Sequence, residues 1–113
     1  MFSLDKTLPI IIDNKRKGVI GEQIVKKIYK ERGSKIIPAR SGCDFIAINW
    51  INGTKQKFRE YVEVKTGLSR QTKRQRQVMK KAIRNGDNYT IYHISDSFLK
   101  KFLLNNEGFW NEM

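Results

Sequence analysis

The chain has 113 residues, 39% of them hydrophobic and 11% aromatic, and carries a net charge of +12. That size bounds it to a single domain, 1–113, with a modest core, and that composition excludes a disordered chain. A field of this sign attracts polyanions: nucleic acid first, with an anionic membrane surface or an acidic protein also open on charge alone.

Cys43 is the sole cysteine, which excludes an intramolecular disulfide and points to a reducing compartment. The segment Leu8 to Ile12 is short, broken by Pro9 and preceded by Asp5, so it lacks the layout of a signal peptide. No apolar run approaches the length of a membrane span. The expectation is a cytoplasmic, intracellular protein, in a host cytoplasm if the gene is viral, with no membrane partner.

Residues 1–13 read as an N-terminal arm, in which Ile10-Ile11-Ile12 is either a short strand or a segment that docks on another subunit. From Asn14 to Arg32 the pattern is helical. Ile20, Ile24 and Ile28 recur every four residues, Val25 and Tyr29 widen the stripe, and Gly33 follows as a C-cap. Glu22 falls at the edge of that stripe, bracketed by Gly18 and Gly21. Glycine inside a helix costs roughly 1 kcal/mol against alanine, so the pair points to a close backbone approach. Glu22 itself is either a functional carboxylate or an ordinary acid near a helix N-terminus.

Lys35 to Pro38 reads as a short strand, Ala39-Arg40-Ser41-Gly42 as a loop, and Cys43 to Trp50 as the next strand. Phe45, Ala47 and Asn49 take one face of it, Asp44, Ile46 and Ile48 the other. Asn52-Gly53 is a hairpin signal. A two-residue turn there sets Asp44 opposite Tyr61, whereas a longer loop centred between Gly53 and Thr54 sets it opposite Glu63. Either register puts Asp44 on the face of Glu63 and Lys65.

Tyr61 to Gly67 alternates as a strand: Val62, Val64 and Thr66 face one way, Tyr61, Glu63 and Lys65 the other. Leu68 to Asn85 reads as a second helix with Ser69 as its N-cap and Val78, Met79, Ala82 and Ile83 as its apolar stripe. Arg70, Lys73, Arg74, Arg76, Lys80, Lys81 and Arg84 make it strongly basic, and Gln75 lies on its inward edge. Tyr89 to Ile94 reads as a strand and Ser95 to Leu104 as a final helix, followed by a tail, 105–113, that contains Phe109-Trp110. His93 is expected in the core, and Cys43 as a small buried filler without an adjacent base.

Glu22, Asp44, Glu63, Lys65 and Gln75 thus collect on neighbouring elements. The stretches Gly18-Val19-Ile20-Gly21-Glu22, Ser41-Gly42-Cys43-Asp44-Phe45-Ile46, Glu63-Val64-Lys65-Thr66 and Leu68 to Ala82 with Gln75 resemble the PD-(D/E)XK nuclease superfamily over residues 14–94. The helix with two glycines before its glutamate looks most like the archaeal-type Holliday junction resolvases. Cys43 stands where that family's nominal proline would precede the aspartate. The resemblance implies an α/β fold with a restriction-endonuclease-like core, a central mixed β-sheet flanked by helices in the order αβββαβ. It also implies a Mg²⁺-dependent endodeoxyribonuclease, with Mn²⁺ as a substitute, that cuts branched DNA. A homodimer is expected from the small core and from the unplaced apolar groups Ile10 to Ile12, Phe102, Phe109 and Trp110.

The roles follow from the chemistry of the residues. Two carboxylates on one sheet face, Asp44 and Glu63, repel unless a cation joins them, and a hard divalent ion suits oxygen donors. Such an ion makes a water acidic enough to attack a phosphodiester. The resemblance adds the Val64 carbonyl as a further ligand. Glu22 would bind a second metal or hold a metal-bound water. Lys65 either orients the attacking water and offsets charge on the phosphate, or is the partner of a surface ion pair, worth about 0–1 kcal/mol. Gln75 would position Lys65 or a phosphate, with Gln71 and Gln77 as rivals. Arg70, Lys73, Arg74, Arg76 and Lys80 would contact the DNA backbone, and Arg40 and Ser41 either contact a phosphate or are plain loop residues. A restriction or repair nuclease acting on duplex or single-stranded DNA, and a catalytically silent nucleic-acid-binding module, are the competing readings.

Overall fold

The computed structural model describes residues 13–106. The arm residues Ile10 to Ile12 and the tail residues Phe109 and Trp110 lie outside the described residues.

Asp13 caps the first helix, α1 (Asn14–Glu31), by accepting a hydrogen bond from the Arg16 backbone N–H. Ile20, Gly21, Ile24, Val25 and Tyr29 form its buried stripe, while Ile28 stays half exposed at its margin. Three antiparallel strands follow, β1 (Lys35–Pro38), β2 (Phe45–Trp50) and β3 (Lys57–Thr66). The helix α2 (Lys73–Arg84) leads to β4 (Asn88–Ile94), which pairs parallel with β3, and α3 (Asp96–Asn105) follows, capped by Ser95. The sheet is mixed, in the order β1-β2-β3-β4, and the expected succession of helix, three strands, helix and strand is found. No helix among the described residues is long and apolar enough to cross a membrane.

The hairpin adopts the longer of the two expected loops. Trp50 pairs with Lys57 and the Ile51 N–H still reaches the Gln56 carbonyl, which leaves Phe45 opposite Val62. One step further along, Asp44 stands opposite Glu63. The core lies between α1 and one sheet face, where Tyr29 meets Phe45 edge-on at 5.7 Å and Val25, Ala47 and Val62 fill the space. A second cluster, Ile20 and Ile24 against Leu99 and Leu103, seats α3.

Of the two helical glycines, Gly21 makes a close approach and Gly18 does not. A β-carbon on Gly21 would lie 2.7 Å from Thr66 Cγ2 and 3.3 Å from Val64 Cγ1, so its absence lets α1 settle on the end of β3. Gly18 has open space around it.

Three expectations need correction. The second helix begins at Lys73, not Leu68, because Thr72 and Gln75 form a reciprocal capping box that Ser69 has no partner to match. The Ser69 N–H instead closes a turn onto the Thr66 carbonyl, Arg70 lies in the connector, and Leu68 is 98% exposed. Ile83 is likewise exposed, since α2 meets the sheet through Val78 and Ala82 on its other side. His93 is exposed rather than packed in the core. It occupies the edge strand β4 and pairs with Lys65, on the face away from α1.

Candidate active site

Asp44 stands just before β2, where that strand parts from β3. Its N–H still bonds the Val62 carbonyl at 2.9 Å, and its Oδ2 accepts the Val64 N–H at 2.5 Å. The carboxylate therefore replaces the next rung of the ladder, bound to the backbone between Glu63 and Lys65. Burial raises the pKa of Asp44 above the ordinary carboxylate value. The Val64 hydrogen bond and Lys65 work against that rise, and the negative charges of Glu22 and Glu63 add to it.

The loop that delivers Asp44 is held by α2. Gly42 has φ +82°, and a β-carbon there would overlap Val78, so glycine is required twice over. Arg74 reaches Ser41 Oγ at 3.4 Å, and the Tyr89 hydroxyl donates to the Gly42 carbonyl at 2.7 Å.

Glu63 is 0% exposed. Its Oε1 lies 2.5 Å from the Tyr89 hydroxyl and 3.2 Å from Gln71 Nε2, both donors. The single Tyr89 proton serves Gly42 or Glu63, one at a time. Glu63 Oε2 has no hydrogen-bond partner among the described residues. The Lys65 ammonium is 3.5 Å from it, close enough for an ion pair but not in hydrogen-bonding geometry. Lys65 Nζ makes its shorter contact, 2.8 Å, with Gln75 Oε1, and that same oxygen accepts the Thr72 N–H.

Glu60, three residues earlier on β3, sets the contrast. It too is buried, on the opposite sheet face, but accepts from Tyr29, Thr90 and Asn49. Asn49 in turn receives the Ser34 hydroxyl. Glu60 is thus a fully partnered structural carboxylate that ties α1 to the sheet. A buried carboxylate with an orphan oxygen, such as Glu63, is costly unless another charge meets it.

The structure brings Asp44, Glu63, Val64, Lys65 and Gln75 together. Glu22 is within electrostatic reach of Asp44 but is paired with Lys26 at 2.8 Å. Lys73, Arg74, Arg76 and Lys80 line exposed positions of α2, where Arg76 bends back to the Gln71 carbonyl at 2.9 Å. Arg40 is exposed in the loop before Asp44. Cys43 has its thiol pushed up to about 11, chiefly by burial and the Asp44 charge, which keeps it protonated and poorly nucleophilic.

Among the described residues no group of three or more His, Cys, Asp or Glu side chains is close enough to hold a metal ion. Magnesium does not require one: it binds through one or two carboxylates and retains waters or takes substrate oxygens. Asp44, the orphan Glu63 Oε2 and the neighbouring Val64 carbonyl form an all-oxygen donor set of that kind. The residues present therefore fit a hard divalent cation.

Sequence reasoning missed Tyr89 and ranked Gln71 second. Tyr89 reaches Glu63 through the parallel β3–β4 pairing, whose register no hairpin dictates. Gln71 has a signal only once the connector before α2 is known to turn back over Glu63.

A scan against protein-family models found no match, and searches of curated proteins and of solved structures found none either.

Proposed function

We propose that this chain is a metal-dependent DNA endonuclease with a restriction-endonuclease-like core, acting as a dimer on branched DNA in the manner of a Holliday junction resolvase. The observation that carries the reading is the fully buried Glu63 with an unpartnered Oε2, beside Asp44 and Lys65 at the end of β3. Glu60 has its acceptors filled, and the other buried orphan carboxylate oxygen among the described residues, Asp96 Oδ1, belongs to a half-exposed side chain already paired with Lys17.

When bound, the divalent cation supplies Lewis acidity and an acidified water for phosphodiester hydrolysis. Asp44 and Glu63 would hold it, with the Val64 carbonyl between them. Tyr89 and Gln71 orient Glu63 through Oε1, leaving Oε2 beside the Lys65 ammonium. Lys65, steadied by Gln75, places a positive charge where negative charge builds on the phosphate. The exposed cations of α2 bind the DNA backbone and position the strand without reading its sequence. Exposed Val19, Ile28, Phe98 and Leu104, on α1 and α3, supply apolar surface for a two-fold partner.

The test is a labelled four-way junction and its linear duplex, each incubated in Mg²⁺, Mn²⁺ and EDTA. Metal-dependent, paired nicks near the branch and an intact duplex are expected. Cutting of both substrates retains the nuclease and removes the junction specificity. Tight binding without cutting in either metal would establish the rival reading, a silent DNA-binding module.

A further inference from the structure

The sheet face that carries Glu63 and Lys65 continues well past the site. Tyr61 follows on β3, stacked on Tyr89 at 6.3 Å, and a groove of about 310 Å³ runs between Tyr61 and α2, walled by Arg74 and Lys81. Beyond it no helix among the described residues covers the face, and β1 and β2 present Ile37, Ile46, Ile48 and Trp50. An open depression of about 700 Å³ forms there, with Ile37, Ile48 and Trp50 as its apolar floor and Lys35, Lys57 and Arg59 around it. Asp87 is the single acid in that lining. Trp50 is 46% exposed.

From the Asp44–Glu63 level to the Trp50–Lys57 pair is six residues of β3, roughly 20 Å at about 3.3 Å per residue. The track therefore leads from the catalytic carboxylates past Tyr61 and Arg59 to an exposed indole. An apolar floor ringed by cations, in a chain of net charge +12, is complementary to a polyanion that also offers flat apolar faces. Unpaired nucleotides match both halves of that description. A duplex hides its base faces in the stack, and a second copy of this chain would bring its own excess of positive charge.

We infer that this face is a platform for unpaired bases, with Trp50 as its stacking anchor and Lys35, Lys57 and Arg59 as its phosphate contacts. The inference rests on the nuclease reading for its direction, since it assigns the platform to nucleotides flanking the cut. It predicts a preference for substrates with unpaired or easily unstacked segments about 20 Å from the scissile bond.

The experiment measures binding of the full chain in EDTA to a labelled oligothymidine and to a blunt duplex of equal length, by fluorescence anisotropy. Trp50→Ala is expected to weaken oligothymidine binding about tenfold and duplex binding less than about twofold, and Trp50→Phe to restore most of the loss. In a Trp110→Phe background, which leaves Trp50 as the only tryptophan, oligothymidine is expected to quench the remaining emission. Unchanged affinity, equal losses on both substrates or absent quenching would overturn the platform. So would light scattering in which the wild type self-associates and Trp50→Ala does not, because the face would then belong to a second copy. Failure of the nuclease reading is separately visible: the Trp50 effect would persist while no metal supports cutting.

Discussion

The Lys65 ammonium lies 2.8 Å from the Gln75 amide oxygen and 3.5 Å from Glu63 Oε2, so its shorter contact is with the neutral partner and not the charged one. A catalytic cation is better served by that arrangement than by a closed ion pair. The amide fixes the ammonium in place without neutralising it, and its charge stays available to a phosphate.

Gln75 therefore has two duties that mutation can separate. It completes the capping box of α2 with Thr72 and it steadies Lys65. Thr72→Ala is expected to cost about 0.5–2 kcal/mol of stability and leave the rate nearly unchanged below the melting transition. Gln75→Ala should match that stability loss and also slow cleavage at saturating DNA. Denaturant melts and single-turnover rates make the comparison, and equal rates in the two variants would reduce Gln75 to a helix cap.

Glu63→Gln and Lys65→Ala should each lower the cleavage rate by about 10²–10³-fold or more while leaving junction affinity, measured in EDTA, within a few-fold. Cutting at wild-type rates by both variants would remove the nuclease assignment.

The sign of the Asp44 shift makes a stability prediction. Its folded pKa is raised, chiefly by burial, so over the pH window between the unfolded and folded values the native state holds a proton the unfolded chain has lost. Stability falls as pH rises through that window and stays lowered at neutral pH. Asp44→Asn, which can still accept the Val64 N–H through its amide oxygen, should raise the melting temperature at pH 7 by roughly a few degrees. The gain should vanish below the ordinary carboxylate pKa, where both states are protonated. Thermal melts of the two proteins from pH 3 to pH 8 show whether it does, and the variant should be inactive throughout.

Tyr89→Phe removes the hydroxyl that serves both Glu63 Oε1 and the Gly42 carbonyl. The expected cost is about 1–3 kcal/mol, because an acceptor is left buried and unpaired. Apparent Mg²⁺ affinity should also weaken about tenfold or more, as for the loss of other groups that orient a metal ligand. A normal Mg²⁺ titration of cleavage in this variant would show that Tyr89 supports the fold alone.

Junction binding should fall steeply with salt, since α2 alone carries six cations, Lys73, Arg74, Arg76, Lys80, Lys81 and Arg84, and has no acid in its first turn. Affinities between 50 and 200 mM salt give the slope, and a flat response would discard a phosphate-binding role for this helix. Light scattering in the same buffers should give twice the chain mass, and a monomer would remove the dimer.

Much of this is legible in the sequence. Alternation along Tyr61 to Thr66 and the four-residue recurrence of Ile20 and Ile24 are local patterns, written in side-chain polarity and backbone periodicity. They placed α1 and the existence of each strand, although β3 starts at Lys57 rather than Tyr61 and β2 at Phe45 rather than Cys43, and the hairpin confined Asp44 to the face of Glu63 because a side chain's face survives either loop length. The start of α2 was legible too, in Thr72 and Gln75, though the more distant Ser69 drew the boundary too early. What the linear pattern does not contain is the depth to which a polar residue is buried and who meets it there. Glu60 and Glu63 look alike in sequence, three residues apart on one strand. One is satisfied by Tyr29, Asn49 and Thr90, and the other is left with an open oxygen. That difference comes from the parallel pairing of β4 and from helices packed on opposite faces of the sheet. Those contacts join residues distant along the chain, and burial and hydrogen-bond partnership are properties of such contacts rather than of any local stretch.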